Sequence, residues 1–144
     1  MPSRNPKDLS PMLQVFWGKL KAWYETKFPD RKLTLTCTHR SVEEQQAIFK
    51  QNEPGKILTH CDGVIKKSKH NYLPAQAFDV AVVIRGKAQW QEIFYIPMLK
   101  AIAELGYSER VRAGGNFSFR DWPHLEAHWP GVPDFYGTRT EKDS

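Results

Sequence analysis

The chain is poor in cysteine: its 144 residues include only Cys37 and Cys61. Two thiols cannot build a disulfide scaffold, and neither stands in a CxxC or Cys/His spacing of the kind that forms a structural metal site. Free thiols in a reducing compartment are expected, with Cys37 as a small core residue of a strand and Cys61 as a loop thiol. The sequence also lacks any apolar run near the roughly 18 residues of a membrane span. Its opening, Met1-Pro2-Ser3-Arg4-Asn5-Pro6-Lys7-Asp8, has no apolar core of a secretory signal. The expectation is synthesis in the cytoplasm without signal peptide or transmembrane segment. Internal repeats and low-complexity linkers are absent. So are helix-turn-helix and RNA-recognition signatures, which argues against a nucleic-acid partner.

What is present describes one folded domain. Hydrophobic residues make up 40% and charged residues 26%, with five Trp, five Tyr and eight Phe, a composition that excludes intrinsic disorder. The length fits a single domain over 1–144, with a core over about residues 10–129 and a short tail over 130–144. A monomer is expected. Lys and Arg number 21 against 16 Asp and Glu, for a net charge of +5. That excess suits polyanionic partners: nucleic acid, an anionic membrane face or an acidic cell-wall polymer.

Ser10-Pro11 reads as a cap with proline in the first turn, and Leu13, Phe16, Trp17, Leu20, Trp23 and Tyr24 recur at helical spacing up to Phe28-Pro29. Leu33, Leu35 and Cys37 alternate with Thr34, Thr36 and Thr38 as in a strand with one buried face. Ser41 and Glu44 form a capping box that opens a helix through about Gln51, so Arg40 falls at a strand-to-helix junction. Asn52 to Asn71 is polar and punctuated by Pro54, Gly55 and Gly63, a long loop. Ala77 to Ile84 reads as a strand and Arg85-Gly86-Lys87 as a turn. Glu92 to Leu105 has helical spacing, with Pro97 marking where the regular helix begins and Gly106 where it stops. Short strands at Val111 and at His124 to His128, with Gly114-Gly115 turning between them, complete an α+β pattern.

The chemistry concentrates in two segments, Ser68 to Asp79 and Asp121 to Glu126. Asp79 is a lone carboxylate in the apolar run Ala77-Phe78-Asp79-Val80-Ala81-Val82-Val83, where an unpaired charge would be costly to bury. It either faces solvent from an edge strand or is paired with a cation. His70, nine residues earlier at the end of the loop, and His124 supply two imidazoles, each of which alone reads equally as a surface or interior histidine. Together with Asp79 they offer the His, His, Asp set that a hydrolytic metal uses when one coordination position stays open. Asp121, three residues before His124 across a proline, is placed to shuttle a proton, and Arg40 is the best cation for a substrate carboxylate or developing oxyanion. His39, His60 and His128 read as structural or exposed. His128 would lie about 13 Å from His124 along a regular strand, too far to share an ion.

These segments resemble the zinc peptidases of the D-alanyl-D-alanine carboxypeptidase and VanY/VanX type, including phage endolysins that cut L-alanyl-D-glutamate bonds. The resemblance runs from about Leu33 to Glu126 and rests on Thr38-His39-Arg40-Ser41 with Gln45, on Ser68-Lys69-His70 through Asp79, and on Asp121-Trp122-Pro123-His124-Leu125-Glu126. It implies that His70, Asp79 and His124 bind Zn2+, that Asp121 is the catalytic acid-base group with Arg40 stabilising the transition state, that Ser68 and Gln45 lie near substrate, and that Glu126 supports a ligand. The common motif has seven residues from histidine to aspartate with a glycine between; here the interval is nine and reads Asn71-Tyr72-Leu73-Pro74-Ala75-Gln76 in the middle, as in a longer phage-type variant.

The fold the resemblance implies is the Hedgehog/DD-peptidase-like α+β domain, a small antiparallel sheet flanked by helices. The function it implies is a peptidoglycan stem-peptide endopeptidase for host cell lysis, released to the periplasm through holin-made holes. Its tail is too short for a wall-binding domain. A D,D-carboxypeptidase and a non-catalytic zinc-stabilised binding module of the same fold are the alternatives.

Overall fold

Helix α1 (Pro11–Lys27) starts where proline can occupy the first turn and turns Leu13, Phe16, Leu20 and Tyr24 inward. In this computed structural model, which describes residues 2–59, 61–117 and 120–129, it is followed by strand β1 (Arg31–Cys37) and the short helix α2 (Val42–Phe49). Strand β2 (Ala77–Ile84) turns back through Arg85 and Gly86, both at positive φ, into strand β3 (Lys87–Gln89), a short partner that the sequence pattern does not announce. Helix α3 (Pro97–Glu104) begins at the proline, after a separate 3₁₀ turn at Glu92–Phe94, and stops at Gly106 with φ +82. Strands β4 (Val111–Ala113) and β5 (His124–Ala127) close the chain's sheet.

The strands form one antiparallel sheet in the order β1-β2-β5-β4, with β3 beside the far end of β2. This is the expected α+β arrangement, and it makes β2 central. One face carries Leu33, Leu35, Phe78, Val80, Val82 and Leu125 into a core shared with α1 and α3. Phe16 packs there with ring centroids 4.9 Å from Tyr107 and 6.2 Å from Phe78, each large side chain so buried contributing about 1.5–3 kcal/mol. The other face carries Asp79, His124 and Glu126. With α1 and α3 packed on the first face, the second is left to build a cavity, bordered by α2.

Two local devices shape the second face. Between Leu35 and Cys37 the pairing with β2 shifts by one residue, so that Leu35 opposes Val80 but Cys37 opposes Asp79. A bulge of this kind reverses which face the following side chains take. Cys37 is buried, yet it belongs to the Asp79 face and not to the hydrophobic core, which corrects the reading from strict alternation. The second device is Gly114-Gly115 in a 3₁₀ turn. A Cβ on Gly114 would lie 1.8 Å from the Asp121 carbonyl oxygen, and one on Gly115 would lie 2.2 Å from the Trp122 ring. The Gly114 carbonyl also accepts from Asp121 N at 3.0 Å. The pair therefore seats the Asp121-Trp122 backbone. Gly114→Ala should lower stability by about 1–3 kcal/mol through overpacking, read as a drop in thermal midpoint; an unchanged midpoint would mean that the segment moves aside at no cost.

Candidate active site

The sheet register aligns the site. Cys37, Asp79 and His124 are cross-strand neighbours on β1, β2 and β5, so their side chains leave the same face side by side. His70 arrives from outside the sheet on a 3₁₀ turn, Lys69–Asn71, whose capping box links the Ser68 hydroxyl to His70 N and the Asn71 side chain to Ser68 N. Asn71 Nδ2 then donates to the Arg40 carbonyl at 2.9 Å, and Arg40 N donates to the His70 carbonyl at 2.9 Å. The turn is thus tied to the β1–α2 junction. The long interval after His70 is absorbed by exposed Tyr72 and Leu73, a cis Leu73–Pro74 bond, and Ala75, which pairs with the N-terminal segment at Leu9. It leaves His70 and Asp79 in contact.

His70 Nε2 lies 3.2 Å and His124 Nδ1 lies 3.0 Å from the same oxygen, Asp79 Oδ1. The outer nitrogens decide the tautomers. His70 Nδ1 is 2.8 Å from the Thr38 carbonyl, which can only accept, so that nitrogen carries hydrogen. His124 Nε2 is 2.8 Å from Glu126 Oε1. Glu126 in turn is paired with Lys69 at 2.6 Å, and Lys69 also donates to the Ala127 carbonyl at 2.7 Å. Burial would raise the Glu126 carboxyl, but His124 and Lys69 outweigh it and hold it below its usual range. As an ionised acceptor it orients His124 by the carboxylate–imidazole arrangement that supports metal ligands.

Neutral imidazoles so oriented would direct two lone pairs at one carboxylate oxygen, a repulsive arrangement unless protons or a cation lie between them. Burial favours uncharged histidine, yet the Asp79 carboxylate prevails and pushes His70 up to about 9. His124 is likewise driven well above its ordinary value, against its burial, by its bonds to Asp79 and Glu126. Asp79 itself, despite burial that would raise it, is held well below the usual carboxylate range by the two histidines. Strong mutual demand for positive charge at this point fits a metal cation. Two groups could hold one: Asp79, Asp121 and His124, and Cys37, His70 and Asp79, each with its ligand atoms within 4.8 Å of one another.

A cavity of about 230 Å³ opens beside these groups, lined by Arg40, Ser68, Lys69, His70, Asp79, Asp121, His124 and Glu126, with Ile48 of α2 and Leu58, Thr59 and Cys61 of the following loop. Asp121 keeps solvent exposure at this cavity, while desolvation of its carboxyl and the nearby Asp79 charge raise it above an ordinary aspartate. The Arg40 guanidinium lies 3.7 Å from Asp79 Oδ2 and donates to Gln45 Oε1 at 2.9 Å. Gln45 is wholly buried, its amide nitrogen donating to Thr59 Oγ1 and the Cys61 carbonyl. Seven of the eight residues singled out from the sequence line the cavity. Gln45, the eighth, sits behind Arg40.

Sequence reasoning missed two members of the cluster. Cys37, with Sγ 3.5 Å from His70 Nδ1 and 3.6 Å from Arg40 Nη2, escaped because the bulge is invisible in the alternation. Lys69 escaped because a lysine in a basic loop normally reads as solvated; here it is 2% exposed. Cys61 is a reduced thiol outside any disulfide, as expected, but a buried one. His39 and His128 take no part in either group of metal ligands. His60 and the 130–144 tail lie outside the described residues.

No family model and no curated protein matches the chain. Among solved structures, it is similar to the Serratia marcescens L-Ala D-Glu endopeptidase ChiX, with a TM-score of 0.65 over 89% of each chain and 19% sequence identity. The likeness establishes the shared DD-peptidase-like α+β fold.

Two outcomes test this geometry. Lys69→Met leaves Glu126 buried beside His124 without its cation, and breaking such a pair costs about 3–5 kcal/mol; chemical denaturation should register that loss, and a wild-type midpoint would refute the pairing. A cation that took His70 as a ligand would have to displace a proton that Asp79 holds up to about pH 9 in place of the ordinary 6.5. Zn2+ affinity, measured by competition with a chromophoric chelator, should therefore rise with pH across that window. A flat profile would contradict the protonated resting pair.

Proposed function

We propose that the protein is a zinc-dependent peptidoglycan peptidase of the phage endolysin type, cutting the L-alanyl-D-glutamate bond of the stem peptide. The observation that carries this reading is the convergence of His70 and His124 on one oxygen of Asp79, the residue common to both possible metal-ligand groups, beside an open cavity that also presents Asp121 and Arg40. The L-Ala D-Glu endopeptidase named above shares the fold, which supports the choice of bond. The net charge of +5 favours encounter with anionic wall polymer.

His70 through Nε2, His124 through Nδ1 and Asp79 through its carboxylate would hold the ion, with Thr38 and Glu126 fixing the two rings from behind. A zinc ion so held lowers the pKa of water toward neutrality and polarises a carbonyl. Asp121 accepts the proton of the attacking water and returns it to the departing amine, a role suited to a carboxyl whose proton affinity is raised. Arg40, steadied by Gln45, meets the negative charge that develops on the substrate carbonyl oxygen. Ser68 borders the cavity and shapes the substrate path, and Gln45 acts through Arg40. Action on the wall follows release from the host cytoplasm through holin-made holes.

The test is digestion of purified peptidoglycan with and without a chelator, with the products weighed. Cleavage between L-alanine and D-glutamate, abolished by the chelator and restored by Zn2+, is the expected result. Loss of a single terminal D-alanine would indicate a carboxypeptidase, and tight zinc binding without turnover a binding module. Asp121→Asn should retain zinc and lose activity by about 10²–10⁴-fold, whereas His70→Ala and His124→Ala should lose both. Full lysis by the Asp121 variant would overturn the assignment of the proton carrier.

A further inference from the structure

The loop between α2 and the His70 turn ends in a tip that the cavity does not use. Val64 is 58% and Ile65 93% exposed, although aliphatic side chains gain from burial. The tip is not slack. Asp62 Oδ1 accepts from Val64 N at 3.0 Å and Lys66 N at 2.9 Å, and Gly63 N donates to the Lys66 carbonyl at 3.2 Å. Gly63, at φ +87, rests so closely on Gln45 that a Cβ there would lie 3.1 Å from the Gln45 Cβ. A built turn thus holds an aliphatic pair out in water.

Charge and neighbouring groups narrow the partner. Lys66 and Lys67 follow the tip directly, and Lys67 Nζ lies 5.6 Å over the Tyr72 ring. That contact joins the tip to a second apolar pair, Tyr72 at 36% and Leu73 at 68% exposure. Two aliphatic residues on a narrow turn are far short of the roughly 800 Å² per partner of a stable protein interface. Val64, Ile65 and Leu73 offer no flat face or hydrogen-bonding group to a sugar, and the Tyr72 ring is taken up by Lys67 Nζ at 5.6 Å and the Trp129 ring at 5.5 Å. Apolar side chains bracketed by lysines match the boundary between acyl chains and anionic headgroups, where lysine stems lie along apolar surface with their ammonium groups outward and tyrosine is favoured.

We propose that the Val64–Ile65 tip, with Lys67 and the Tyr72–Leu73 segment, docks the protein on an anionic phospholipid bilayer. The inference stands apart from catalysis: its ligand contacts none of the metal-binding side chains. Because Leu58, Thr59 and Ser68 of the same loop line the cavity, docking would hold that cavity at the membrane surface.

Flotation with phosphatidylethanolamine/phosphatidylglycerol vesicles, compared with phosphatidylcholine vesicles, tests it with the full chain. Wild type should float with the anionic vesicles alone and less at high salt. The double variant Val64→Ser/Ile65→Ser should lose about tenfold or more in partitioning. Lys67→Glu, which keeps the apolar tip, should lose about tenfold, and provides a second measurement should the double variant fold poorly by circular dichroism. Ile93→Ser, removing an isoleucine 66% exposed outside this loop, should bind as wild type. Equal flotation with both vesicle types, wild-type binding by folded Val64→Ser/Ile65→Ser or by Lys67→Glu, or an equal loss in Ile93→Ser would overturn the proposal. So would capture by purified peptidoglycan through the same residues with no flotation.

Discussion

A single carboxylate in the middle of the sheet sets the terms for the rest of the molecule. Asp79 lies on the central strand, with β1 on one side and β5 on the other, where a charge without partners would be several kcal/mol uphill. The structure answers with His70 and His124 on one oxygen and Arg40 near the other. Each partner needs its own support. The Thr38 carbonyl holds His70, Glu126 holds His124, Lys69 holds Glu126, and Gln45 holds Arg40. The polar face is a chain of obligations that begins at Asp79, and the apolar face supplies the burial that offsets its cost.

Two irregularities make that chain geometrically feasible. A regular β1 would have sent Cys37 into the core; the bulge after Leu35 instead sets it opposite Asp79 and starts the backbone toward Thr38 and Arg40. The paired glycines at 114 and 115 allow the Asp121-Trp122 segment to approach within distances that no side chain permits. Both are cases in which local regularity is given up to aim functional groups, as bulges and glycines near sites commonly do.

Much of this was legible in the residues themselves. The capping box of Ser41 and Glu44, the proline start of α3 and the Ala77–Ile84 strand follow from short-range rules and recur in the structure. That His70, Asp79, His124, Asp121 and Arg40 would belong together was read from the chemistry of their side chains and from a resemblance in motif order, not from periodicity, and all five line one cavity. Cys37 and Lys69 were not. The face a bulged residue takes depends on its neighbour strand, and the burial of a lysine depends on where Glu126 and the Ala127 carbonyl arrive from 57 or 58 residues away.

The sequence by itself determined the elements and the chemical inventory, since capping, proline and glycine limits and hydrophobic alternation act over a few residues. It also narrowed Asp79 to two fates, an edge facing solvent or a cationic partner, and the central place of β2 in the sheet decided for the partner. Which oxygen meets which imidazole nitrogen, which tautomers result, and which side of the sheet Cys37 occupies were decided only by tertiary structure. Those properties belong to the register between β1, β2 and β5, and register is a relation among distant segments that no single segment contains.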